Sequence, residues 1–271
     1  MQSVSVIIPT MRGREALLKR LISSIPSRYK TVIVDDEDLL LAAKRNKGAM
    51  KSKGEYFLFI DDDNYLEKQA IEWAVDLCEK EGVGVVGFVA CYDDKKDLVA
   101  DGGSKRNYLT GFTTGMNTNA RWSDLKEPYE VDEVANAFLM HSETFYDLYG
   151  FDEKNFPIEL DEADFCRRVK DLGLKIMMCP NARCYHKSVT YSFIPTFRRA
   201  KSAFYHGRNR INYQRSANSR LRYGVYLVFF MPVFICFYSL SLLWNRKPII
   251  LLHFLRGVLN GIFNRRKNIY K

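Results

Sequence analysis

Residues 191–271 contain no aspartate or glutamate, although the 271-residue chain carries 32 acids and 41 bases. All the acids fall within residues 1–190, where 26 bases leave a net charge of −6, and the other 15 bases give the last stretch a net charge of +15. The formal +9 therefore excludes a basic surface spread over one globular body. It describes an acidic to neutral head joined to a basic tail, and such a tail seeks an anionic partner. Cysteine is scarce: Cys78, Cys91, Cys166, Cys179, Cys184 and Cys236 include no CxxC pair. Neither a zinc site nor a disulfide framework is indicated, and the cysteines read as small hydrophobes. The segment Met1 to Pro9 lacks a basic stretch followed by a long apolar core, so it is not a signal peptide and the head is expected to stay in the cytosol. Repeats and low-complexity tracts are missing too. With 47% hydrophobic and 27% charged residues, the disordered, collagen-like and disulfide-stapled classes are excluded, and the length fits one large domain with an appendage.

What is present is an alternation of strands and helices. Val4 to Ile8 is an apolar, β-branched run stopped by Pro9, which reads as a buried strand. Leu17, Leu18, Leu21, Ile22 and Ile25 recur at helical spacing up to Pro26. Thr31 to Val34 is a second strand, closed by Asp35-Asp36. Leu39, Ala42, Ala43, Ala49 and Met50 mark a helix ended by Gly54, and Tyr56 to Ile60 is a third strand running into Asp61-Asp62-Asp63. Ile71, Ala74, Val75 and Cys78 repeat at helical spacing, and Val85 to Cys91 is a fourth strand. The pattern predicts an α/β fold, a doubly wound, mostly parallel sheet with helices on both faces. Residues 92–130 are rich in Gly, Asp, Asn, Thr and Lys and read as long loops, with Trp122 open to either packing or sugar stacking. Phe165, Val169 and Leu172 then mark a helix, and Ile176 to Cys179 a strand.

The tail, beginning near Tyr191, divides in two. Residues 191–222 interleave Arg198, Arg199, Lys201, Arg208, Arg210, Arg215, Arg220 and Arg222 with aromatic residues, as a basic amphipathic juxtamembrane segment would. Residues 223–271 read as transmembrane or membrane-interfacial helices: Tyr223 to Trp244 gives 22 residues without a charge, roughly 33 Å as a helix against a hydrocarbon core of about 30 Å. Pro232 is placed to kink it. Pro248 to Phe263 is only 16 residues long with His253 and Arg256 inside, which suits an interfacial or re-entrant helix better. Bases crowded before an uncharged run point to an anionic membrane rather than nucleic acid and place the head on the cytosolic side. Arg208-Asn209-Arg210 is open to two readings, a phosphate contact or a solvated basic face.

In such a sheet, ligands bind beyond the carboxyl ends of the strands, where Asp35-Asp36 and Asp61-Asp62-Asp63 both lie. Three adjacent carboxylates repel one another unless a cation sits among them, and Mg²⁺ or Mn²⁺ prefers such oxygens. Capping the next helix would need only one of the three.

Ser5-Val6-Ile7-Ile8-Pro9-Thr10, Val34-Asp35-Asp36, Arg45-Asn46-Lys47-Gly48 and Gly54-Glu55-Tyr56-Phe57-Leu58-Phe59-Ile60-Asp61-Asp62-Asp63 occur in this order. Gly150-Phe151-Asp152-Glu153, Asp161-Glu162-Ala163-Asp164-Phe165 and His186 follow. Over residues 3 to about 190, a catalytic domain of 1–190, this series resembles an inverting family 2 glycosyltransferase of the GT-A, nucleotide-sugar type. The resemblance implies that Asp36 binds the nucleoside of the donor, with Pro9, Thr10 and Met11 lining the base pocket, Asp35 nearby, and Arg45 and Asp61 beside the nucleotide-sugar. Asp62 would hold the ribose and Asp63 a divalent metal, Mn²⁺ or Mg²⁺, with His186 near the metal or diphosphate. Glu162 matches the carboxylate that deprotonates the acceptor hydroxyl, and Asp161 stays a candidate because the usual Glu-Asp order is reversed. Glu37-Asp38 replaces the usual Gly-Ser, and Asp36 lies only ten residues before Asn46, so a strand the family carries there is missing or reduced.

These readings converge on a membrane-associated, metal-dependent enzyme, its catalytic domain in the cytoplasm. It would move a sugar from a nucleotide diphosphate to a glycan acceptor, and a basic tail at a span points to an acceptor that is itself lipid-linked. The alternative is a catalytically silent membrane-bound sugar-nucleotide-binding or scaffold subunit. A nucleotidyltransferase would need a glycine-rich loop after the first strand, and a haloacid-type phosphatase an Asp pair there; the chain has neither.

Overall fold

A computed structural model describes residues 2–186 and 200–263. Tyr191, Phe197, Arg198 and Arg199 of the basic stretch, and Arg265-Arg266-Lys267, lie outside the described residues. Two compact units are present: one comprises Met1–Lys105, Thr114–Asp152 and Glu162–Val189, the other Arg106–Thr113, Glu153–Asp161 and Thr190–Lys271.

The first unit is built on strands β1 (Val4–Pro9), β2 (Lys30–Val34), β3 (Tyr56–Ile60), β4 (Asn64–Leu66), β5 (Val83–Tyr92), β10 (Ala137–His141) and β11 (Lys175–His186), ordered β2-β1-β3-β10-β5-β11-β4. β1 is parallel to β2 and β3, and β5 is parallel to β11. β10 lies antiparallel between β3 and β5. The sheet is thus mostly parallel, as the alternation predicts, with a central antiparallel strand that the periodicity does not announce. β2 stands at one end of this order and β4 at the other.

Alternating side chains of the strands fill two layers. Val6, Ile8, Leu58 and Ile60 pack on one face with α1 (Glu15–Ser24) and α3 (Ala70–Cys78). Ile7, Phe57 and Phe59 pack on the other with α2 (Leu41–Met50), α4 (Ser142–Asp147) and α5 (Asp161–Asp171). Leu58 and Phe59 are fully buried, and each such side chain contributes about 1.5–3 kcal/mol by leaving water. The stretch 92–130 holds the short strands β6 (Val99–Asp101), β7 (Ser104–Arg106) and β8 (Thr113–Gly115), and β9 (Tyr129–Val131) pairs with β11. All six cysteines are free thiols, and only Cys236 is exposed.

In the second unit, α6 (Ala200–Ala217) packs against α9 (Pro248–Phe263). α7 (Arg220–Val225), a π-helical turn over Tyr226–Phe230 and α8 (Met231–Trp244) run on as one helix. Pro232 lacks an N–H to donate back along that helix, and the π turn just before it takes up the mismatch. Arg220–Trp244 is 25 residues long with a mean hydropathy of 2.1. It is the one helix among the described residues long and apolar enough to cross a membrane. Gly207 and Gly257 allow the α6–α9 approach: a Cβ on Gly257 would sit 1.9 Å from the Phe204 carbonyl oxygen.

The arginines of α6 turn inward rather than forming a solvated basic face. Arg208 donates to the Asn155 carbonyl at 2.6 Å, Arg210 to the Gly111 carbonyl at 2.7 Å, and Arg215 to the Gly261 carbonyl at 2.5 Å. Backbone oxygens accept from all three guanidinium groups.

Candidate active site

Parallel pairing brings the carboxyl ends of the strands to one edge. Pro9 faces Val34, β3 ends at Ile60 opposite Ala137, and His186 of β11 faces both Tyr92 and Asn64. Asp61, Asp62 and Asp63 leave this edge after Ile60, and the Asp61 N–H donates to the Asn136 carbonyl at 2.9 Å.

The three carboxylates have separate partners. Arg45, on α2 and 1% exposed, reaches Asp61 at 3.0 Å and Glu162 at 2.6 Å. Its guanidinium also lies over the Phe138 and Phe151 rings, which fix its plane. Asp62 is buried, accepts from the Thr10 hydroxyl at 2.6 Å and pairs with Arg14 at 3.0 Å. Lys44, buried as well, donates to the Thr10 carbonyl at 2.5 Å. Asp63 takes the other Arg14 nitrogen at 2.5 Å and faces His186 Nε2 at 3.4 Å.

Burial pushes the Asp61 carboxyl up to about 6 against the opposing Arg45 charge, with Glu162 and Asp63 adding to the rise. Asp62 is raised by burial, partly offset by Thr10 and Arg14. Burial works on Asp63 in the same direction, but His186 and Arg14 together bring it down to about 2. His186 loses by burial and gains more from Asp63, so its pKa is raised. Three neighbouring acids are thus shifted in different directions, two up and one down, and such perturbed groups cluster at functional sites.

The residues that the resemblance assigns to the donor lie on the loops after β1 and β2. Thr10, Met11, Asp35 and Glu37 line one cavity of about 240 Å³. Asp35 is exposed, and Asp36 is half-buried and bonded to Lys47 at 2.7 Å, which holds its carboxyl below the usual range. Pro9, buried at the end of β1, forms the start of this loop. Asp161 opens α5 and is buried, and Glu162 follows it half-buried. Of the predicted set, Arg45, Asp61, Asp62, Asp63, Glu162 and His186 are linked by direct contacts or shared partners. Trp122 is engaged in packing: its ring lies under the Arg183 guanidinium at 3.8 Å, and its N–H donates to the Pro180 carbonyl.

Sequence reasoning missed three participants. Arg14 follows β1 at the ligand end of the sheet, a position that marks it in retrospect. Lys44 lies one residue before Arg45. Asp101 accepts from Gly103 N–H at 2.9 Å and Asn136 Nδ2 at 2.8 Å, and burial raises its carboxyl. It sits in the loop-rich region, where no local signal singles it out.

As a metal site, Asp63 and His186 offer a hard oxygen beside an imidazole nitrogen, a pair that Mn²⁺ accepts. Among the described residues no three His, Cys, Asp or Glu side chains gather as a metal cluster. The pair suits an ion whose remaining positions are filled by diphosphate oxygens and water.

Comparisons with known proteins find similarity in one segment and in the fold. The family model described as "Glycosyl transferase family 2" matches residues 30–122. The fold is similar to a mannosyltransferase from Pyrobaculum calidifontis, solved with GDP-Man and Mn²⁺: 11% identity, 98% of this chain and 88% of that one covered, TM-score 0.56. It is also similar to GalNAc-T7, solved with UDP, GalNAc and Mn²⁺: 14% identity, TM-score 0.59, with 97% of this chain but only 57% of that one covered. No curated protein matches the sequence significantly. The segment 30–122 is thus similar to family 2 glycosyltransferases, and the fold is similar to those of two glycosyltransferases.

Proposed function

We propose that the chain is a metal-dependent inverting glycosyltransferase that transfers a sugar from a nucleotide diphosphate to a lipid-linked glycan acceptor at the cytosolic face of a membrane. The observation that carries the reading is the Arg45 bridge, which ties the acid after β3 to the candidate base on α5. A donor-side group and an acceptor-side group are thereby held by one buried cation.

In this reading Asp36 and the Pro9–Met11 loop take the nucleoside, and Asp62, set by Thr10 and Arg14, takes the ribose. Asp63 and His186 would hold Mn²⁺ or Mg²⁺, which when bound supplies positive charge for the departing diphosphate. Glu162 accepts the proton of the acceptor hydroxyl, and Arg45 fixes the direction in which its carboxylate points. A base opposite the leaving group gives single displacement with inversion. Asp161 is the alternative base.

Membrane attachment is supported by Arg220–Trp244, which at 25 residues spans roughly 37 Å against about 30 Å of hydrocarbon. Its outer face carries exposed Val228, Phe229, Val233, Phe237 and Leu240, an apolar stripe that water would not favour. An acceptor held in the same bilayer needs only to diffuse in two dimensions to reach the site. Incubating the full chain with a panel of nucleotide sugars, Mn²⁺ and membrane lipid extract, followed by mass spectrometry of lipid and water phases, tests this reading. A glycosylated lipid with inverted anomeric configuration is expected; a donor left unchanged throughout the panel, or a product only in the water phase, contradicts it.

A further inference from the structure

Glu159 and Leu160 have φ values of +66° and +62°, a left-handed conformation that a residue with a Cβ adopts at a cost and two in succession seldom share. Such a turn persists only where its surroundings over-determine it. Asn209 of α6 is fully buried, and its Nδ2 donates to two successive carbonyls at the turn, Ile158 and Glu159, each at 2.8 Å. The amide is itself oriented: Arg208 Nε donates to Asn209 Oδ1 at 2.9 Å and a second Arg208 nitrogen to the Asn155 carbonyl. The Ser202 hydroxyl and His206 Nδ1 both meet the Glu159 carboxylate. Four side chains of α6 therefore hold one strained turn, and the next two residues along the chain are Asp161 and Glu162.

We propose that Asn209 is a positioning residue for glycosyl transfer: its paired donation locks the left-handed Glu159–Leu160 turn that delivers the candidate base at the head of α5. The proposal rests on the glycosyltransferase reading above and deepens it. The sequence motif Arg208-Asn209-Arg210 gains a role in backbone geometry rather than in binding phosphate.

Asn209→Asp tests it, because the substitution keeps the shape but turns an oxygen towards two carbonyl oxygens. In the full chain in detergent, amide hydrogen exchange over residues 157–165 is expected to accelerate at least tenfold. With whichever nucleotide sugar of the panel above the parent uses, kcat should fall at least tenfold while affinity for the free nucleotide stays within twofold. Asn209→Ala should behave alike, and adding Leu160→Gly should restore its kcat to within threefold of the parent, since glycine takes the left-handed region unaided. Should Asn209→Asp fail to fold, Asn209→Ser, which keeps one donor, must fall between parent and Asn209→Ala in both readouts. Unchanged exchange overturns the proposal, as does faster exchange with kcat within twofold, or nucleotide affinity falling in step with kcat. A parent inactive with every donor overturns the glycosyltransferase reading and the catalytic half of this one, while the exchange result still decides whether the lock exists.

Discussion

Arg45 and Glu162 meet at 2.6 Å, and the same buried guanidinium reaches Asp61 at 3.0 Å. One cation from α2 thus serves a carboxylate that follows β3 and another in the first turn of α5, 101 residues further on. Losing it would leave two acids facing each other in a poorly hydrated crevice.

Arg45→Met is accordingly expected to destabilise the protein by about 3–5 kcal/mol, because it strands charge that the fold has removed from water. Combining it with Glu162→Gln should recover part of that loss by removing one of the two acids. Denaturant unfolding of the two variants and the parent measures this; equal stability of Arg45→Met and parent would show that the bridge carries no structural weight.

Asp63 shares Arg14 with Asp62 and adjoins His186. If Asp63 and His186 bind the metal, Mn²⁺ should tighten the binding of UDP or GDP to the parent and should not do so for Asp63→Ala. Calorimetry with and without Mn²⁺ reads the difference. Nucleotide binding that ignores the metal in the parent, or keeps its metal dependence in Asp63→Ala, speaks against the assignment.

Val233 is exposed on the apolar helix, so Val233→Arg should cost membrane insertion about 2.5–3.5 kcal/mol. Carbonate extraction and vesicle flotation should find more of this variant in the soluble fraction than of the parent. If both partition equally, the helix does not anchor the chain.

Gly257 lies where a Cβ would strike the Phe204 carbonyl, whereas a Cβ on Gly224 meets open space. Gly257→Leu is expected to cost about 1–3 kcal/mol or more through overpacking between α6 and α9, and Gly224→Ala to be neutral or mildly stabilising. Thermal melting in detergent should separate them, and equal melting temperatures would contradict the tight helix contact.

Much of the fold was legible because the parallel strands are apolar along their length, β1 and β3 being buried on both faces and β2 on one. Val4 to Ile8, Thr31 to Val34 and Tyr56 to Ile60 read as continuous apolar runs, and each is a strand in the structure. β10 escaped notice: Ala137–His141 is equally apolar but follows loop-rich sequence, and antiparallel insertion between β3 and β5 leaves no local mark. The acidic clusters were visible as clusters, but their partners were not. Arg14, Lys44 and Asp101 act through contacts formed only when strands and helices distant in sequence converge. Arg208 and Arg210, which the sequence leaves open between a phosphate contact and a solvated face, instead donate to backbone carbonyls that only the fold brings within reach.

The most direct test is Glu162→Gln, which keeps size and shape and removes the proton acceptor. With whichever nucleotide sugar the parent uses, kcat is expected to fall by a factor of about 10²–10⁴ while donor affinity is retained. Transfer by Glu162→Gln at a rate close to the parent's would contradict the account and move the base to Asp161.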